Sequence, residues 1–273
     1  PPLVLFSLIT VGYSANALGG AGGPLAVLII AIVAAELGKA VSKETKVDIL
    51  VTPLVTIFAG VGLSMLIAAP IGAAASQVGT LIMWATEQAP LVMGILVSVI
   101  VGVALTLPIS SAAICAALGL TGLAGGAAVA GCCAQMVGFA VMSYRENGVG
   151  GLVSQGLGTS MLQMGNIIKN PRIWIAPTLA SAITGPLATC LFHFEMNGAA
   201  VSSGMGTCGL VGQIGVYTGW VSDIAAGTKA AITPMDWAAM VLLCFVLPAV
   251  LSVVFCEVER KLGWIKEGDL KLN

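Results

Sequence analysis

Long apolar runs separated by short polar or small-residue breaks set the pattern of this chain. Residues 24–41, 47–69, 91–107, 123–142, 173–192 and 237–256 are such runs. Each comes close to the ~20 apolar residues that carry a helix across a bilayer core. No stretch shows the short period-two segments of a β-barrel. The pattern predicts an all-α, polytopic transmembrane helix bundle with re-entrant or broken helices. Roughly seven or eight crossings and two or three partial ones are expected at these lengths. Residues 1–12 read as the end of a helix whose beginning is missing, and Tyr13 to Gly23 as a small-residue break. Pro70 should stop the run that starts at Val47. Residues 71–89 should then form a separate interfacial or re-entrant helix, with Ile71, Val78, Ile82 and Ala85 on one face. Pro108-Ile109-Ser110-Ser111 interrupts the next run, and residues 143–148 and 220–236 read as polar loops.

Two stretches fit neither lipid nor an ordinary loop. Residues 151–170 carry Ser154, Gln155, Thr159, Ser160, Gln163 and Asn166 in otherwise apolar sequence. Residues 192–215 hold His193, Glu195 and Asn197, followed by a Gly-rich run with Ser202, Ser203, Thr207 and Gln213. Broken backbone at membrane depth persists only where protein or a water-filled cavity satisfies it. Ser154-Gln155-Gly156-Leu157-Gly158-Thr159 is echoed 48 residues later by Ser202-Ser203-Gly204-Met205-Gly206-Thr207. Paired broken segments of this kind often build solute sites in transport proteins.

Composition confirms the membrane reading and removes other classes. The chain of 273 residues is 58% hydrophobic and 8% charged, against roughly 25% charged in soluble domains. Its mean hydropathy is +1.04. A net charge of −1 excludes nucleic acid as a direct partner. Lys39, Lys43 and Lys46 mark a cytoplasmic loop, and Arg260, Lys261, Lys266 and Lys271 mark residues 257–273 as a cytoplasmic tail. The opening Pro1-Pro2-Leu3, without Met, suggests one transmembrane domain over 1–273 that lacks its native N-terminal part. The seven cysteines form no Cys-x-x-Cys pair and read as reduced packing residues. One histidine cannot supply the roughly four ligands of a zinc site, so no metal and no cofactor is expected. Neither a Walker loop nor a hydrolase elbow is present.

The candidate site residues are Glu195, His193, Asn197, Gln163, Asn166, Gln213, Thr159, Thr207, Ser110 and Ser111. A carboxylate accepts bonds from adjacent sugar hydroxyls. Carboxamides and hydroxyls bind such ligands without demanding a counter-ion. Each also has a plain structural reading, as a helix-end or interhelical hydrogen-bonding group. Glu195 and His193, at i and i+2, point the same way only where the backbone is extended or broken. The expectation is one solute cavity, with Glu195, His193 and Asn197 on one wall and Gln163 and Asn166 on another. Arg145 and Glu146 read as a solvated loop.

Residues 106–119, 143–172 and 186–215 resemble the membrane-embedded enzyme IIC subunits of bacterial phosphotransferase systems. The similarity is to their stand-alone branch, the perfringolysin O regulator or toxin-regulator homologues, and it covers roughly residues 20–256. It implies a dimeric bundle in the bacterial inner membrane that binds a sugar in an occluded site and moves it by an elevator-like or rocking motion. It also implies Glu195 as the sugar-contacting glutamate, assisted by His193, although the Gly-Ile-Thr that precedes such glutamates is absent. Phosphorylation would require a separate IIB phosphocarrier. A transport-inactive sensor or regulator and a proton- or ion-coupled solute carrier are the alternatives.

Overall fold

The structure, a computed structural model, describes residues 2–19, 23–44 and 47–272. Gly20 to Gly22 of the expected break and Lys46 of the lysine loop lie outside the described residues. Helices follow one another as α1 (Pro2–Gly19), α2 (Gly23–Val41), α3 (Asp48–Leu63), α4 (Ala69–Gln88), α5 (Pro90–Thr106), α6 (Ser111–Leu118) and α7 (Gly122–Met142). Then come α8 (Tyr144–Val153), α9 (Met164–Lys169), α10 (Ile175–Pro186), α11 (Val211–Ala225), α12 (Pro234–Val241) and α13 (Leu247–Lys261). Among the described residues the only β pairing is the isolated bridge between Gly122 and Met196.

Five helical runs among the described residues are long and apolar enough to cross a bilayer: Pro2–Gly19, Asp48–Gln88, Gly122–Met142, Pro171–Leu191 and Pro234–Lys261. This is an all-α helical membrane bundle. Pro90–Thr106 is a shorter apolar helix, and 47–69 and 71–89, expected as a span followed by a separate interfacial or re-entrant helix, form one continuous run. Pro70 fails to stop the helix. It follows a π turn at Ser64–Ala68, just as Pro248 follows one at Leu242–Val246. A proline cannot serve the carbonyl four residues before it. Those carbonyls, on Leu66 and Cys244, lie inside the π turns, where bonding is already re-routed.

Other expected breaks also move. Helix α1 continues through Tyr13 to Gly19, and the polar loop at 143–148 is the start of α8, kinked at Gly148 with φ 59°. The expected loop at 220–236 is occupied by α11 as far as Ala225, and α12 starts at Pro234. There Thr233 and Asp236 form a reciprocal capping box, which satisfies two of the helix's orphan amides.

The chain divides into two compact units. Unit 1 holds residues 1–80 and 116–119, where α1, α2 and α3 pack around Val11, Ala15, Ile30 and Ala34. Unit 2 holds residues 81–115 and 120–273 and is built around α7. Helices α5, α10 and α13 pack against α7, which is buried along most of its length. Its Gly/Ala-rich sequence permits that approach. A methyl group on Gly131 would collide with the Ser98 carbonyl of α5. Ser98 and Ser181 tie α5, α7 and α10 together, Ser98 donating to the Ser181 carbonyl at 2.8 Å and Ser181 to the Gly131 carbonyl at 3.2 Å. Gln135 on α7 accepts from the Trp174 indole at 2.9 Å and donates to Thr178 at 3.2 Å.

Candidate functional site

The π turn at the end of α10 (Leu187–Leu191) gives way at Phe192 to eight residues of irregular, mostly extended chain before the 3-10 turn at Ala200. This segment is pinned on one side. Phe194 donates its amide to the Ala188 carbonyl at 2.8 Å, and Met196 and Gly122 exchange two backbone bonds of 3.0 Å. Gly126 lies directly against the Phe194 carbonyl, and any side chain there would displace it. Phe194 and Met196 therefore point into the core, 3% and 0% exposed. In extended chain the alternate residues face the other way. Glu195 and Asn197 do so, His193 joins them through its left-handed backbone, and with the edges of Phe192 and Phe194 they line a cavity of about 490 Å³.

The opposite wall comes from α11, α12 and the turn between them: Trp220, Asp223, Lys229 and Asp236. Asn197 bridges the two walls, donating to Glu195 Oε2 at 3.1 Å and to Asp223 Oδ2 at 2.9 Å. Lys229 pairs with Asp236 at 2.8 Å and lies 5.6 Å from the Trp220 ring centroid. Trp220 is braced edge-on by Trp237, with centroids 5.6 Å apart. The backbone at His193 has φ 44°, a left-handed conformation uncommon for a residue with a side chain. The cavity thus offers three carboxylates, one ammonium, an imidazole and a carboxamide. That set can hydrogen-bond a polyhydroxylated ligand, while Trp220 itself is 4% exposed and covered by Lys229.

The remaining sequence candidates lie elsewhere. Gln163 and Asn166, expected on a second wall of the same cavity, do not line it. They belong to a buried chain of carboxamides. Gln155 donates to Ser143 at 2.7 Å, Gln163 to Gln155 at 2.9 Å, and Asn166 to Gln163 at 2.7 Å. Gln163 and Asn166 also donate to the backbone carbonyls of Leu270 and Lys271, each at 3.0 Å. Residues 262–272 are thus packed rather than free, with Ile265 and Leu270 in the core. Glu146, expected in a solvated loop, is 7% exposed and pairs with Arg260 at 3.2 Å.

Thr159 caps a 3-10 turn, accepting from the Met161 amide at 3.1 Å. Ser110 accepts from the Ala113 amide at 3.1 Å at the start of α6, and Ser111 donates to the Gly204 carbonyl at 2.7 Å. Gln213 donates to the Cys133 sulfur at 3.2 Å. The Thr207 hydroxyl and the Gln213 carbonyl oxygen are buried without a partner among the described residues. The first half of the sequence echo, in the π turn Ser154–Gly158, packs against the 3-10 turn Cys208–Leu210, just beyond the second half.

Asp223, Lys229 and Asp236 are absent from the sequence candidates. Their signal was available: three charged residues within fourteen positions, flanked by Trp220 and Trp237, in a chain that is 8% charged.

The helical membrane bundle and this cavity define a multi-pass membrane protein with a polar pocket. The family model for phosphotransferase system, EIIC, matches residues 1–272, and the chain belongs to that family. Membership makes it a membrane subunit of a sugar-transport system. No curated protein and no solved structure matches the chain.

Proposed function

We propose that this chain binds its sugar in the cavity at residues 192–236 and translocates it as the enzyme IIC subunit of a bacterial phosphotransferase system in the cell membrane. The observation that carries the reading is the extended run that turns His193, Glu195 and Asn197 together into that cavity. Glu195 is the principal acceptor for sugar hydroxyls. Asn197 holds its carboxylate in place. The carboxylates outnumber Lys229, which favours a neutral sugar over an already phosphorylated one. The phosphoryl group comes from a separate IIB phosphocarrier.

The test is uptake into vesicles containing the purified protein and a phosphorylated IIB partner, alongside a thermal-shift screen of neutral sugars. Glu195→Ala should abolish the sugar-induced shift while the protein still assembles. An unchanged shift in that variant would remove Glu195 from the site. Sugar binding without uptake under any phosphocarrier would replace the transporter reading with a sensor.

A further inference from the structure

Glu259 lies in the last turn of α13, on the same buried stripe as Ser252 and Cys256. It is 4% exposed, and neither carboxyl oxygen has a hydrogen-bond partner among the described residues. Its neighbour Arg260 turns its terminal nitrogen away, to Glu146 at 3.2 Å and to the Met142 carbonyl at 3.5 Å, and its buried Nε makes no bond to the Glu259 carboxyl or to any other group among the described residues. An ionised carboxylate left dry and unpaired is far costlier than a neutral carboxylic acid. A hard cation would need six or more oxygen ligands. The carboxyl has no such set around it, so a proton is the ligand the surroundings suit.

Residues 262–272 return alongside the buried stripe of α13 that carries Cys256 and Glu259. The chain reverses just beyond it, the Trp264 amide donating to the Glu259 carbonyl at 2.9 Å. Ile265 and Leu270 then pack with Cys256, which is one turn away on the same face. Most of the hydrogen bonds that hold the returning segment go to its backbone. Asn147 donates to the Leu270 carbonyl and accepts from the Leu272 amide, both at 2.8 Å. Glu146 accepts from the Leu270 amide at 2.8 Å, and Asn170 donates to the Trp264 carbonyl at 2.9 Å. Those bonds join residues 264–272 to the broken segment 154–170 and to α8.

We infer that Glu259 is a proton-binding site, and that its protonation keeps residues 262–272 clasped over the broken helix. When the clasp is closed the carboxyl is dry and keeps its proton; when the clasp lifts, water reaches it and it ionises. The closed form therefore binds the proton more tightly, so closure is favoured at low pH and weakens as pH rises. The groups around it leave this balance to Glu259. Helix α10 carries no ionisable side chain, and α7 has only the buried Cys132 and Cys133. On α13 itself, Glu257 pairs with Arg145 at 3.0 Å and Lys261 is exposed. On α8, Glu146 is taken by Arg260; Lys169 of α9 is exposed, as is Arg172, which lies 5.6 Å over the Trp264 ring. In the clasp, Lys266, Glu267 and Lys271 are exposed, and Asp269 accepts from Asn170 at 2.8 Å.

Amide hydrogen exchange of the whole protein in lipid vesicles tests this, read at residues 264–272 and corrected for intrinsic rates. Between about pH 5 and about pH 9 the wild-type segment should lose about tenfold or more of its protection. Glu259→Gln, which stays neutral, should be protected equally at both ends of that range. Asn147→Ala should expose the segment at both, which shows that the readout detects release. A wild type with no pH dependence, or a Glu259→Gln variant that keeps it, overturns the inference. If Glu259→Gln does not fold, labelling of the wild type with dicyclohexylcarbodiimide, which attacks protonated carboxyls, decides instead. Modification mapped to Glu259 at low pH supports the site, and its absence overturns it.

Discussion

Two polar segments that look alike in sequence have opposite fates in the fold. Residues 151–170 and 192–215 both interrupt apolar sequence, and both carry Ser, Gly-x-Gly-Thr and carboxamides. In the first, the side chains close on one another and on the returning chain. Gln155, Gln163 and Asn166 form an unbroken ladder ending at the Leu270 and Lys271 carbonyls. In the second, the bridge at Met196 and the close approach of Phe194 to Gly126 turn three polar side chains outward into a cavity. Whether a polar group in an apolar chain holds the structure or meets a solute depends on where its hydrogen bonds end. In the ladder they end inside the protein, and at the cavity the exposed Glu195 and His193 face open space beside bonds that Asn197 and Lys229 make within the protein.

That contrast should be largest in stability. Gln163→Ala removes the centre of the ladder, leaving the Gln155 side-chain oxygen and one Asn166 N–H without a partner, while the Leu270 carbonyl keeps Asn147. Leaving buried polar groups unpaired should lower stability by about 2–4 kcal/mol, read as thermal unfolding in detergent. The fraction that remains folded should bind sugar normally. A sugar-binding defect in folded Gln163→Ala would put this segment back in the site.

Glu195→Ala should do the reverse. Its side chain is exposed at the cavity, so stability should move by no more than about 0.5 kcal/mol. Losing a charged hydrogen-bond acceptor should weaken sugar affinity by roughly 10- to 100-fold. Isothermal titration against the sugar found in the thermal-shift screen gives both numbers on one sample. If both stability and affinity fall together, the two regions are not separable as argued.

How much of this could be read from the sequence follows the same division. The helix bundle is visible in the apolar runs, and the broken segments are visible in their glycines and amides, because both signals are local. The ladder's anchor is not local. Gln163 meets Leu270 across 107 residues, through a backbone carbonyl that any residue could supply. No side-chain pattern in 262–272 announces it. Pro70 reads as a stop because a proline's effect is judged on an ordinary α-helix, and the preceding π turn is invisible in composition. The far wall of the cavity was legible but misread. Thr233-Pro234-Met235-Asp236 is a helix-start signal, yet among polar neighbours it reads as loop, and Asp223, Lys229 and Asp236 are passed over with it.

The Thr233 cap offers an intermediate test, because it belongs to the cavity wall without facing a solute. Asp236 accepts from the Thr233 hydroxyl at 2.9 Å and its amide at 2.7 Å while also pairing with Lys229. Thr233→Ala should cost about 1 kcal/mol of stability. It should weaken sugar affinity by a few-fold at most, since Asp236 keeps its lysine. A loss of affinity as large as that of Glu195→Ala would mean that the α12 start sets the cavity's geometry.

The smallest effect comes from His193, where backbone and side chain can be told apart. Its left-handed φ of 44° is unfavourable for residues with a Cβ and free for glycine. His193→Gly relieves that conformation but loosens the unfolded chain, so its stability should lie within about 1 kcal/mol of wild type. His193→Ala keeps the strain and should be the less stable of the two by about 1 kcal/mol. Both lose the imidazole. If the ring contacts sugar, affinity falls to the same extent in both. If only the alanine variant binds poorly, the turn at 193 matters for aiming Glu195 and Asn197, and the histidine is a hinge of the cavity wall rather than part of its lining.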